Sequence, residues 1–340
     1  MKILYGVAGE GMGHAVRAVP IIEHLQKKHE VTIIASSNAY EFLHSKFPHV
    51  HKVTGVHIRY KDNSVAEIMT VLSHLPKIPR FFKNLRYLFQ FSPDIIITDF
   101  EFLTYSIGKL KRIPIISLDN IHVLTHANFK VPSIKRKNMG KAVVYARTPW
   151  CNEYIIPAFF KAVPKKHNVS LVAPLLRILL QNTKVTRKNV ILVYQTSKSY
   201  QDTLVAVMKE FPDEQFKVYG LEGTNTKNVT FTCYGEKEFL KDLLSCKGII
   251  CNGGFSLIAE AIALGKPVLS IPVKKHYEQQ VNALKLQEEG FGMMAERFTK
   301  NVLDEFLNAI PAIHKNQKRD HYPLLLPVLD SLLEKYSKHL

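Results

Sequence analysis

The chain has 340 residues, enough for two domains that each bury a core of their own. Hydrophobic residues make up 46% and charged ones 22%, which excludes a disordered or fibrous chain, and no run reaches the roughly 18 apolar residues of a membrane span. The net charge of +17 is uneven: residues 1–170 carry 24 Lys and Arg against 11 Asp and Glu, and residues 171–340 carry 22 against 18.

A basic N-terminal half suits an anionic partner, whether an anionic lipid surface, a phosphorylated carrier or nucleic acid. No nucleic-acid motif accompanies the charge, so nucleic acid is not expected. The four cysteines, Cys151, Cys233, Cys246 and Cys251, form no C-x-x-C pair and match no zinc spacing; free thiols are expected, and no metal. The chain runs from Met1 through a short strand into a glycine-rich turn, so no signal peptide is expected. The expectation is a cytoplasmic protein whose membrane contact, if any, is peripheral and on the inner face.

In chain order, residues 2–7 read as a strand, 14–29 as a helix, 31–35 as a strand, 94–98 as a buried strand and 114–117 as another. The pattern then restarts. Residues 189–194 read as a strand, 200–210 as a helix, 215–219 and 229–232 as strands, 236–244 as a helix, 248–251 as a strand, 256–264 as a helix and 267–271 as a strand. Apolar strands alternating with helices imply parallel sheets covered on both faces. Two such series predict an α/β chain of two doubly wound, Rossmann-like domains. The first spans residues 1–170, a linker 171–188, and the second 189–321. A helix at about 322–340 follows, able to pack back on the first domain.

After the first strand comes Gly9-Glu10-Gly11-Met12-Gly13-His14. A dinucleotide fingerprint fails here, because its third glycine would fall at His14 and the second strand ends without an acid. His14 would stand at the carboxyl edge of the sheet, where such folds bind ligands. A neutral imidazole there can take a proton from a hydroxyl; the alternative is a histidine that only finishes the turn. Asp99, just past another strand, can orient that histidine or cap the helix that follows. Asn120 and His122 share the edge after the next strand.

The densest signal runs from Cys251 to Pro267, C-N-G-G-F-S-L-I-A-E-A-I-A-L-G-K-P. A strand ends in Gly253 and Gly254, and a helix opens at Phe255 and Ser256, so bare N–H groups can hold a pyrophosphate. Glu260 can take both hydroxyls of a ribose. Gln279 and Gln280 offer neutral amides to sugar hydroxyls.

This segment resembles the nucleotide-sugar site of the inverting GT-B glycosyltransferases, among them the peptidoglycan lipid-carrier N-acetylglucosaminyltransferase and the UDP-glucuronosyltransferase-like enzymes. The loop ending in His14 is similar to that family's N-terminal loop, and Pro174-Leu175-Leu176-Arg177 to its interdomain element. The resemblance implies two domains facing a cleft, with His14 as general base and Asp99 as its partner. It implies Arg177, Thr196 and Ser197 on the donor phosphates, Glu260 on the ribose, and Gln279 and Gln280 on the sugar. Gly11, Met12, Gly13, Asn120 and His122 would meet the acceptor. The expected reaction is metal-independent inverting transfer from a nucleotide-sugar, most naturally a UDP-sugar, with no cofactor. Glu10 and Met12 replace the family's small residues, which implies a different acceptor. Aromatic and basic residues interleave over 71–91, and Lys135-Arg136-Lys137 follows, so a lipid or lipid-carrier acceptor at an anionic surface is expected. Two other functions fit the same nucleotide site: a UDP-sugar 2-epimerase, and a non-catalytic nucleotide-sugar-binding regulator.

Overall fold

A computed structural model describes residues 1–9, 12–55, 60–61, 64–65, 78–131, 137–177, 183–195, 201–315 and 322–338. Seven parallel strands form the first sheet: β1 (Lys2–Val7), β2 (Glu30–Ser36), β3 (Val50–Val53), β4 (Ile95–Asp99), β5 (Ile115–Leu118), β6 (Glu153–Pro157) and β7 (Val169–Val172). Their order is β7-β6-β5-β4-β1-β2-β3. Six parallel strands form the second: β8 (Val190–Tyr194), β9 (Gln215–Tyr219), β10 (Val229–Thr232), β11 (Gly248–Cys251), β12 (Val268–Ser270) and β13 (Gly292–Met294), ordered β10-β9-β8-β11-β12-β13.

Both orders reverse beside the first strand of the sheet, between β1 and β4 and between β8 and β11. That reversal opens a crevice at the carboxyl ends, where open α/β sheets bind ligands. The strands are continuous apolar runs because helices cover both faces. Ile3, Tyr5, Val7 and Ile33 pack against one helical layer of the first sheet, while Leu4, Ile34 and Ile96 pack against the other. The second sheet divides likewise, with Ile191, Val193 and Ile250 on one side and Leu192, Ile249 and Cys251 on the other.

The helices that matter for the site are α1 (Met12–Leu25), α2 (Ser37–His44), α3 (Ile78–Leu88), α4 (Phe102–Lys111), α5 (Lys137–Arg147), α6 (Gln201–Lys209), α7 (Glu236–Ser245), α8 (Phe255–Ala263) and α9 (Tyr277–Glu288). Two more follow, α10 (Lys300–Lys315) and α11 (Leu325–Ser337). β7 runs to Val172, two residues into the stretch read as linker. Leu325, Leu329 and Leu333 of α11 are buried in the core of the first sheet, so the chain's last helix returns to its first half. β6 and β7, which the sequence reading passed over, extend that sheet on the side where α11 lands.

Lys266 ties the second half to the segment entering it. Its ammonium is fully buried and donates to the carbonyls of Thr186 (2.7 Å), Leu244 (2.8 Å) and Cys246 (2.6 Å). Two of those carbonyls stand at the end of α7, where Leu244 also accepts from Thr186 N at 3.1 Å. The two halves touch at named points. Ser256 Oγ donates to the Gly13 carbonyl at 3.2 Å, Asn120 Nδ2 donates to Glu278 Oε1 at 2.8 Å, and Lys46 pairs with Glu236 at 2.8 Å. Gly140 on α5 lies against the Tyr277 ring so closely that a Cβ there would stand 2.4 Å from it.

Candidate active site

A cavity of about 670 Å³ lies between the two halves, at the carboxyl ends of both sheets. The first half contributes Met12, Gly13, His14, Arg17, Phe100 and Asn120; the second contributes Arg177, Tyr194, Tyr234, Gly254, Glu260 and Gln279. The N-termini of α1 and α8 both open on it, so the first-turn N–H groups of two helices face the same space.

The left-handed turn at Phe100 (φ 56°) decides what Asp99 does. It reverses the chain straight after β4, and Glu101 becomes the cap of α4, accepting from Leu103 N (3.0 Å) and Thr104 N (2.7 Å). Asp99, fully buried, is therefore free of capping. Its Oδ1 lies 2.7 Å from His14 Nδ1, and its Oδ2 accepts from Arg17 Nε at 2.8 Å. Arg17 Nη2 also donates to Asp99 Oδ1 and lies 2.7 Å from His14 Nδ1, while Nη1 donates to Asn120 Oδ1. Burial works against the Arg17 cation, but the adjoining Asp99 carboxylate outweighs it and lifts the group above an ordinary arginine. One helical turn places Arg17 on the face of α1 that carries His14. That spacing is legible in the sequence, but only the fold brings Asp99 and Asn120 to Arg17.

On the opposite wall, Glu260 and Arg177 form a two-pronged pair, Nε to Oε1 and Nη2 to Oε2, both 2.6 Å. The sequence reading gave these residues separate duties on ribose and phosphate; the structure joins them. Burial raises the Glu260 carboxyl, and Arg177 offsets only part of that rise. Each carboxylate oxygen keeps a further acceptor site, so two ribose hydroxyls can still be held. Arg177 Nη1 is buried without a hydrogen bond and stands 3.9 Å from Glu236 Oε1. It is a donor fit for a phosphate oxygen.

Gly253 adopts φ +101°, and a Cβ there would stand 2.8 Å from the Gln279 carbonyl, so the turn into α8 requires glycine. Gln279 Oε1 accepts from Val273 N at 2.9 Å, which leaves its amide NH₂ for a ligand. Phe255 and Ser256 also line the cavity, Ser256 at the junction with Gly13. Tyr234 reaches the cavity beside Tyr194 and Phe239, with ring centroids 6.4 and 5.4 Å away, and is 37% exposed, which suits it to stack on a flat ring.

Among the described donor and acceptor residues expected from the sequence, Gly253, His122 and Gln280 do not line the cavity. His122 is buried, with Nδ1 2.7 Å from Asp119 Oδ2 and Nε2 3.1 Å from the Thr148 carbonyl, and does not line the cavity. It follows β5, as expected, but the one-turn helix Val123–His126 turns its ring inward. Gln280 also lies off the cavity wall. Gly11, Thr196 and Ser197 fall outside the described residues, as do 71–77 and Lys135 and Arg136.

The cavity wall around Met12 is apolar. Met12, Val16, Phe100, Ile121, Leu124 and Val143 line it, with Arg147 and Lys275 also on the wall. Outside the cavity, α3 exposes Ile78 and Phe82, with Phe89 just beyond it, among Arg80, Lys83 and Arg86. None of the described helices is long and apolar enough to cross a membrane.

The chain is 24% identical over 338 residues to an uncharacterised glycosyltransferase of Methanosarcina acetivorans, covering 86% of this chain and 85% of the relative. It is 23% identical over 357 residues to the UDP-N-acetylglucosamine–N-acetylmuramyl-(pentapeptide) pyrophosphoryl-undecaprenol N-acetylglucosamine transferase of Alkaliphilus metalliredigens, covering 94% and 92%. A UDP-glucosyltransferase from Polygonum tinctorium capable of glucosylating indoxyl superposes with a TM-score of 0.68 at 14% identity, over 99% of this chain and 98% of that one. The glycosyltransferase VinC in complex with DTDP superposes with 0.64 at 15%, over 99% and 100%. The sequence model of glycosyl transferase family 1 matches residues 1–311, and the chain belongs to that family as a glycosyltransferase of the GT-B fold.

Proposed function

We propose that the protein transfers a sugar from a UDP-sugar to a hydroxyl of an acceptor with an apolar body, in one inverting step that needs no metal. The observation that carries this reading is that His14, backed by the buried Asp99, and a helix N-terminus with Glu260 and Arg177 line one cavity from opposite sides. His14 Nε2 takes the proton of the acceptor hydroxyl as its oxygen attacks the anomeric carbon. The bond to the nucleoside diphosphate breaks, and the departing charge settles on the N–H groups at the start of α8 and on Arg177 Nη1. Thr196 and Ser197 would add to that cradle. Glu260 holds the ribose, Tyr234 lies against the base, and Gln279 meets the sugar, with Gln280 behind it.

Met12, Gly13 and Asn120 would border the acceptor, with Gly11 beside them. An apolar wall flanked by Arg147 and Lys275 suits a lipid-linked acceptor bearing phosphate. The exposed aromatic and basic residues of α3 suit an anionic membrane surface next to it. Calorimetry of UDP binding with and without EDTA tests the donor site. The expected result is binding that EDTA leaves unchanged; no binding of UDP, GDP or TDP refutes the assignment.

A further inference from the structure

His14 Nδ1 stands 2.7 Å from Asp99 Oδ1 and 2.7 Å from Arg17 Nη2. The two contacts demand opposite tautomers. Asp99 is an acceptor and needs a proton on Nδ1; a guanidinium is only ever a donor and needs the Nδ1 lone pair. With the proton on Nδ1, Nε2 presents a lone pair and can take a proton. With the proton on Nε2, no lone pair is left at the nitrogen remote from Asp99, and the base is idle. Arg17 is not free to settle the matter alone. Its Nη1 donates to Asn120 Oδ1, and Asn120 Nδ2 donates to Glu278 Oε1, 2.8 Å away on α9 of the other half. Glu278 is the neighbour of Gln279 on the donor side of the cavity.

We infer that Arg17 is a positioning residue that sets which ring nitrogen of His14 carries the proton. Its own position is set from the donor half through Asn120 and Glu278. The base is thereby coupled to the half of the molecule that holds the donor, through three side chains and no movement of the main chain around His14. This rests on the reading of His14 as the base, but the arrangement of protons is a property of the protein without substrate.

The test is ¹⁵N NMR of the imidazole nitrogens at a pH where His14 is neutral, with its signals assigned by their loss in His14→Gln. In the wild type, Nδ1 is expected at a shift between the protonated and unprotonated limits. Arg17→Met should move it fully to the protonated limit. Glu278→Ala, which touches neither His14 nor Asp99, should change the share of the proton by threefold or more. The same variant should change kcat by a like factor and leave the Kd for UDP within twofold. Arg17→Met can fail to fold, since it strips a partner from a buried carboxylate; Glu278→Ala and Asn120→Ala then carry the test. A wild-type Nδ1 already at the protonated limit, or a shift that ignores Glu278→Ala and Asn120→Ala, overturns the inference. Failure of UDP to bind refutes the donor site and leaves the NMR result standing.

Discussion

Replacing Glu260 should weaken the protein and its ligand binding for different reasons, and a double-mutant cycle separates them. Glu260 and Arg177 are 5% and 7% exposed and share two hydrogen bonds of 2.6 Å. Glu260→Ala leaves a buried guanidinium without its counter-charge, and Arg177→Met leaves a buried carboxylate; each should cost about 3–5 kcal/mol. Removing both leaves no unpaired charge, and an apolar pair in such a place is often close to neutral. The double variant should therefore be less destabilised than either single variant, so the coupling in urea unfolding should exceed about 3 kcal/mol. Donor binding should not recover. Two ribose hydroxyls on a charged acceptor contribute about 1.5–3 kcal/mol each, so UDP affinity should fall on the order of 100-fold or more. Calorimetry should give that loss in both Glu260→Ala and the double variant. Additive destabilisation, or UDP binding that survives Glu260→Ala, refutes the reasoning.

Lys266→Met should cost about 2–4 kcal/mol in the urea midpoint, because three buried carbonyls lose a charged donor. A change under 1 kcal/mol means that water or backbone shifts replace it. Burial pushes His126 down to about 4, its ring lying 4.0 Å from that of Tyr154. The unfolded chain takes up that proton near pH 6.5, so stability is lost as pH falls from there towards 4. His126→Phe should flatten this part of the stability profile, and an unchanged slope would assign it to other groups. At low salt the protein should pellet with anionic vesicles, and Phe82→Ser with Phe89→Ser should abolish this. A wild type that stays in the supernatant removes the membrane reading of α3.

Much of the site was legible because chemistry and local geometry coincide in short stretches. Gly253 and Gly254 before a helix, Glu260 within it, and His14 in the helix after the first strand are local facts, fixed by helical spacing and, at Gly253, by a φ that glycine tolerates best. Two successive runs of apolar strands likewise dictated two parallel sheets. What the chain could not state in one dimension was partnership between distant positions. Asp99 was open to two readings until the turn at Phe100 gave the capping role to Glu101. His122 shares its strand edge with Asn120, yet one turn of helix sends it into the core. Arg177 and Glu260 are 83 residues apart, and Arg17 and Asn120 are 103. Sequence by itself determined the fold class, the Gly253–Glu260 turn and helix, and the histidine at the sheet edge, since periodicity and backbone conformation are short-range. Only the tertiary structure decided which charges neutralise one another, because burial in a shared low-dielectric cleft makes that pairing obligatory, and the cleft exists only once both halves have closed on it.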